Sequence, residues 1–515
     1  MSLATPAVQE RSTGVLPIAI MLLATTIGLG ALVLGVPLQA IAVVGAALFA
    51  LVIAFKPDVA TLAVIAIIYS NAAVIGYRFH GLPYAVAAGV PLLLVAPLAY
   101  YLLIRRQRLI IAPALPWILG FLLIQLISTL FSRDSNAAAQ ALGIFLTEGV
   151  LLYLLVTNVV RTERMAYACL WLLLVVGAGL GALSVHQQLT QNYRADYLGF
   201  AQMSKATFAT GVSPATAGVQ QPRLGGPLGQ QNRYAQIMLV LVPLGMATIW
   251  GRRVRHLKLL AGGAMGLIAL GAALTFSRGG AVGFVLMVMV AAALRYIRFR
   301  QVALVMAAAF GILFLVPQYS ARLASLENLP SGTSSADGAV LSRITETLTA
   351  VLVFGDHPLI GVGPGLFPAY YTQYADNIGL NVRSQDREAH NLYMGIAAET
   401  GIFGLVAFMG AIIVTLRDLA RTRSRLLRSR PALAHLAAAY ALAIVAYLTT
   451  GIFLHLSFER YYWLILALAG AVSVIGLRTM KEEVQAGVPA LTSTTPAGVA
   501  APTSTVPVGA VPYLP

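Results

Sequence analysis

Charge is scarce in this sequence. Only 10% of its 515 residues are Asp, Glu, Lys or Arg, against about 25% in soluble domains. Cysteine is nearly missing as well. Cys169 stands alone in an apolar run, so no disulfide can form within the chain and cysteine usage says nothing about redox compartment. A Walker phosphate loop, a DxD pair and an evident nucleophilic triad are also lacking, and Asp134 in "SRDS" is isolated. These gaps remove P-loop phosphate chemistry and leave no metal-binding acidic pair.

Apolar residues fill the space: they make up 59% of the chain, with a mean hydropathy of +0.82. Many runs reach the roughly 20 residues that a helix needs to cross a bilayer. The expected fold class is an all-α polytopic membrane protein, because a barrel would show short alternating segments instead. Spans are expected near 15–35, 37–55, 58–76, 84–103, 110–131, 139–160, 166–185, 233–250, 259–276, 279–295, 301–317, 391–416, 432–453 and 461–477, about fourteen helices in all. The first run is long for a signal-peptide core and has no convincing cleavage site, so it reads as a retained span.

Every second junction is basic. Arg11, Lys56, "RRQR", "RTER", "RRVRHLK", "RYIRFR", "RDLARTRSRLLRSR" and "RTMK" hold 22 of the 34 lysines and arginines. The positive-inside bias then puts both termini in the cytoplasm. The net charge of +16 reflects that bias and does not signal nucleic-acid binding. The domain reading is a cytoplasmic N-terminus over 1–14, an integral membrane domain over 15–483 and a disordered Pro/Thr/Ala-rich cytoplasmic tail over 484–515. Two outward segments are long, about 186–232 and 318–390, and loops of that size are usually functional or disordered. The second contains "LSRITETLTAVLVF" (341–354), which reads as an amphipathic helix lying against the membrane face.

Three outward clusters carry polar chemistry. "TFSRGG" places Arg278 in the shortest turn of the chain, beside Gly279 and Gly280. An interfacial arginine can simply snorkel to water, but paired glycines point to close approach of backbone or ligand. "REAHNLYMGIAAETG" holds Arg387, His390, Asn391 and Glu399. A lone histidine is commonly structural; at the membrane surface a neutral imidazole is also suited to accept a proton. Glu399 falls about 180° around an ideal helix from His390 and is expected to organise neighbouring helices. "QPRLGGPLGQQNRYAQ" offers Arg223, Asn232 and Arg233, the last also readable as an interface cap. Arg343 adds a donor from the amphipathic helix, and Gly363 shapes the turn "GDHPLIGVGPGLF". Several arginines with one histidine suit an anionic ligand held without a metal, because the guanidinium fork donates in pairs and stays charged.

Together "TFSRGG", "HNLYMGIAAETG", "RLGGPLGQQNRYA" and "HPLIGVGPGLF" resemble the bacterial O-antigen ligase and O-antigen polymerase superfamily, over roughly residues 220–415. The resemblance implies a GT-C-like fold in the bacterial inner membrane and an extracytoplasmic active site. It implies metal-independent, inverting transfer of a glycan from an undecaprenyl-diphosphate donor to a glycan or lipid-core acceptor, with no cofactor. Carried over by motif, Arg278, Arg223 and His390 are the expected catalytic residues, and Asn391, Arg387, Arg233, Asn232 and Arg343 the substrate-binding ones. Arg233 and the tail beyond residue 484 depart from the family pattern. The competing readings are a flippase or exporter, expected to show cavity-lining charges and repeat symmetry, and a non-catalytic scaffold, in which these residues need not converge.

Overall fold

The computed structural model describes residues 56–204, 208–209, 220–251, 254–303, 307, 335–378, 387–456 and 459–486. Among them, eight helices are long and apolar enough to cross a bilayer, or nine counting one bent pair. That pair is α1 (Pro57–Ser70) and α2 (Ala72–His80), which meet at 58°. Asn71 makes the bend with a φ of 63°, a left-handed conformation that asparagine tolerates. The chain continues as α3 (Tyr84–Ile104), α4 (Leu115–Leu130), α5 (Ser135–Val159), α6 (Glu163–Thr190), α7 (Gln231–Trp250), α8 (Arg255–Ala273) and α9 (Arg278–Ala293). It then forms α10 (Ser335–Asp356), α11 (Phe367–Ile378), α12 (Leu392–Leu426), α13 (Pro431–Gly451) and α14 (Glu459–Gln485).

Eleven of the fourteen expected spans meet a helix or helix pair here. The spans expected over 15–35 and 37–55, nearly all of 301–317, the N-terminus 1–14 and most of the tail lie outside the described residues. Within the described residues there are eight long spans, or nine counting the bent pair, and two shorter apolar helices. Those two, α4 and α9, have 16 residues each, fewer than a straight crossing needs. The first long connecting segment, expected over about 186–232, also departs from an all-helical chain. It forms two small antiparallel ribbons, Gln202–Met203 (β1) with Leu224–Gly226 (β4), and Phe208–Ala209 (β2) with Gln220–Gln221 (β3).

Burial separates the centre of the bundle from its rim. The most apolar windows of α7, α14 and α13 are 83%, 78% and 72% buried, while those of α8 and α3 are only 22% and 28% buried. Small residues explain the centre: Ala434, Ala437, Ala438 and Ala441 of α13 are all buried, and small side chains let helix backbones approach closely within a membrane. An aromatic cluster of Phe121, Phe145, Phe408, Tyr462 and Trp463, with neighbouring ring centroids 4.9–5.6 Å apart, ties α4, α5, α12 and α14 together.

Three of the basic junctions meet at one end of this bundle. Arg423 lies over the Tyr296 ring at 4.2 Å and donates to the Arg295 carbonyl, while Ser429 reaches Glu483. Contacts between the turn at 275–278 and Arg223, and between α12 and the end of α13, lie at the other ends of the same helices.

The segment 355–367 is locked into α12. Gly401 interrupts that helix with φ 67° and ψ −170°, a backbone that only glycine adopts freely. The break releases two carbonyls, and the turn takes them up: Val362 N–H donates to Ala398 and Gly363 N–H to Glu399, both at 3.0 Å. Gly363 itself has φ +116°, and a Cβ there would meet Ser132 at 2.8 Å. A helix interrupted inside the membrane is tolerated when protein re-satisfies its backbone in this way.

Candidate active site

Two helix starts build the site, and they share a local design. In α9 the N-cap is Ser277, whose Oγ accepts from Gly280 N–H. In α12 it is Asn391, whose side-chain oxygen accepts from Tyr393 and Met394 N–H. Each cap follows a non-glycine residue in the left-handed region, Phe276 (φ 50°) and His390 (φ 45°). Such strain, of order 1–3 kcal/mol, clusters at functional sites. Gly280 packs tightly, since a Cβ there would meet the Ala235 methyl at 3.0 Å; one at Gly279 would meet Phe453 at 3.3 Å.

Around α9, Arg223 is buried and committed to the turn. Its Nε donates to the Thr275 carbonyl at 2.9 Å and its Nη2 to the Phe276 carbonyl at 3.2 Å and to Asn232 Oδ1 at 3.4 Å. Asn232 Oδ1 also accepts from Ser277 Oγ at 2.8 Å. Arg223 and Asn232 therefore hold the backbone that presents Arg278. Arg278 is half-buried and feels the positive charge of Arg343. Burial pushes the Arg343 guanidinium below its ordinary pKa, opposed by Glu346. Two like charges kept close and partly desolvated gain most from a shared anion.

Around α12, His390 Nδ1 lies 3.1 Å from the Glu388 carbonyl and 2.9 Å from Glu346 Oε2. Hydrogen-bond geometry is met with the carbonyl, whereas the carboxylate contact is an ion-pair approach. Both neighbours are acceptors, so Nδ1 carries the proton and Nε2 presents its lone pair. Glu346 is buried and also takes Ser342 Oγ at 3.0 Å and Arg387 Nε at 3.4 Å. Sequence reasoning missed Glu346. A signal existed: Ser342, Thr345, Glu346 and Thr349 recur at helical spacing, and all four are buried. The amphipathic helix is thus inverted, polar stripe inward, with Leu341, Ile344, Leu348, Val351 and Leu352 exposed.

A third group joins the two. Arg233, expected to bind substrate or cap the interface, is buried in α7. Its Nη1 donates to Gln236 at 3.3 Å, and its Nη2 has no hydrogen-bond partner among the described residues. Its charge acts on Glu388 and on His455. The His455 ring lies 5.6 Å from that of His390, and its Nε2 is 4.0 Å from Glu388. Burial first, then the Arg233 charge and the neighbouring His390 ring, hold the His455 imidazole well below histidine's ordinary range. Glu399 does not pair with His390; its Oε1 accepts from Phe367 N–H at 3.4 Å. Among the described residues, no three His, Cys, Asp or Glu side chains gather as metal ligands.

The fold and site define a multi-pass helical membrane protein with guanidinium groups and one partnered imidazole gathered about two helix starts. Residues 263–409 match the family model described as O-antigen ligase, so this segment of the chain carries the O-antigen ligase/polymerase superfamily resemblance. The matched segment holds Arg278, Arg343, Glu346, Arg387, His390 and Glu399, whereas Arg223, Asn232, Arg233 and His455 fall outside it. No curated protein matches the chain.

Proposed function

We propose that this protein is a metal-independent, inverting glycosyltransferase of the O-antigen ligase type. It moves a glycan from an undecaprenyl-diphosphate donor to an acceptor hydroxyl at the extracytoplasmic face of the bacterial inner membrane. The observation that carries this reading is the His390–Glu346 contact at 2.9 Å, inside the family-matched segment that also holds Arg278 and Arg343. Positive-inside bias supports the orientation, because three of the basic junctions gather at the opposite end of the bundle.

In the proposed step, the acceptor oxygen attacks the anomeric carbon and its proton passes to His390 Nε2. The carbon–oxygen bond to the diphosphate breaks, and the lipid diphosphate leaves with the electron pair. Diphosphate needs charge stabilisation more than a general acid, and Arg278, Arg343 and the N-terminus of α9 supply it. Arg387 binds substrate while pairing with Glu346. Glu346 orients the imidazole and stabilises its protonated form, as carboxylates do in other acyl- and group-transfer sites. Arg223, Asn232 and Asn391 hold the two helix starts, and Arg233 sets the charge of the groove through Glu388.

The test is transfer by purified, bilayer-reconstituted protein from a lipid-diphosphate glycan to candidate acceptors, with and without chelator. Turnover is expected in both conditions, and His390→Ala should lower it by about 10²–10⁴-fold while donor binding persists. Near-normal turnover in that variant removes the base; loss of turnover on chelation removes the metal-free mechanism.

A further inference from the structure

Beside the imidazole lies a partly open cavity of about 120 Å³, several times what one water requires. Its polar lining is Gln125 of α4, Glu388, Glu399 and Thr400 of α12, His455 and Glu459 of α14, with Phe367 among its apolar walls. Neither Arg nor Lys lines it. Glu388 and Ala389, the two residues before His390, are wall residues, and so is His455, whose ring lies 5.6 Å from that of His390; Arg278 and Arg343 do not line the cavity. Gln125 is the telling residue. It is 5% exposed, and its side-chain amide has no hydrogen-bond partner among the described residues. His455 Nδ1 is buried and has no hydrogen-bond partner among the described residues. Buried polar groups are normally paired.

We propose that this cavity is the acceptor subsite, which takes a neutral sugar ring by its hydroxyls. The inference rests on the glycosyl-transfer reading above. With neither arginine nor lysine in its wall, the cavity offers the diphosphate no cationic partner, and the donor stays with the arginines. Carboxylates accept hydroxyl protons, the Gln125 amide both donates and accepts, and the Phe367 ring offers an apolar face. A ring held there directs one hydroxyl toward His390 Nε2. The two substrates are thus sorted by the groups that can hold them.

The experiment uses full-length protein in nanodiscs and three probes: methyl hexopyranosides, glucosamine and glucuronate. Saturation-transfer NMR should report binding of the neutral hexosides and none of glucuronate, and the hexosides should compete with acceptor but not with donor. Gln125→Leu should raise the acceptor KM by about three- to tenfold, the worth of one hydrogen bond, with donor KM unchanged. Glu399→Gln, close in shape, should move the same constant. Equal hexoside binding by wild type and Gln125→Leu, or none by either, means the cavity holds water only and overturns the proposal. Preference for glucosamine over every neutral hexoside makes it a cation site and also overturns it. Intact, His390-dependent transfer with an unmoved acceptor KM sinks the subsite and leaves the enzyme. Hexoside binding without any transfer from lipid diphosphate sinks the enzyme and leaves the sugar site.

Discussion

His390 and Glu346 meet at 2.9 Å although they come from different elements, the start of α12 and the middle of α10. The contact fixes the tautomer of the imidazole and buries a carboxylate that Arg387 and Ser342 also hold. A structural histidine would need no such neighbour. In the proposed mechanism the pairing makes α10 part of the catalytic arrangement.

Glu346→Gln keeps the shape and removes the charge. Transfer should fall by at least about tenfold, as when the carboxylate behind a catalytic imidazole is neutralised, with donor KM unchanged. Because the two residues act as a unit, Glu346→Gln combined with His390→Ala should lose no more than His390→Ala alone. Steady-state kinetics on the three variants checks this; additive losses in the double variant contradict the pairing.

Arg278→Ala should weaken donor engagement and slow transfer by about a hundredfold. Arg278→Lys should restore only part, since a point charge replaces a two-pronged donor. Full recovery with lysine, measured as donor KM and kcat, excludes bidentate contact with the diphosphate.

Arg223→Met should act through the fold. It strands the buried carbonyls of Thr275 and Phe276, at about 1–3 kcal/mol for each unsatisfied group. Thermal unfolding should move down together with activity. A variant with wild-type stability and no activity shows instead that Arg223 touches substrate.

Acid should destabilise the protein through His455. Its folded pKa lies well below its unfolded one, so the unfolded chain binds the proton first as pH falls. The stability it permits is complete above the unfolded value near 6.5 and declines below it. The charged or titratable neighbours are Arg233 of α7, His390 and Glu388. His455→Gln should therefore lose less melting temperature than wild type between about pH 7.5 and 5.5. Parallel losses in the two proteins would falsify the assignment.

Much of this was legible in one dimension. Long apolar runs and alternating basic junctions locate helices and ends, because a bilayer leaves the backbone few alternatives. The caps at Ser277 and Asn391 follow from short-range chemistry. The interruption at Gly401 was not visible inside an apolar run of ordinary length, since its compensation comes from a turn some forty residues earlier. Arg223 looked like a ligand for phosphate because spacing cannot reveal that two distant carbonyls await its guanidinium.

Composition and periodicity alone determined that this chain is a helical membrane protein with its arginines and histidine at helix ends, because those properties depend on residues near one another along the chain. Which of these groups meet was decided only by packing. The polar stripe of α10 turned inward, Glu346 reached His390, and Gln125 came to share a cavity with three glutamates. Ion pairs and cavities belong to side chains from separate helices, and no local rule encodes the distance between them.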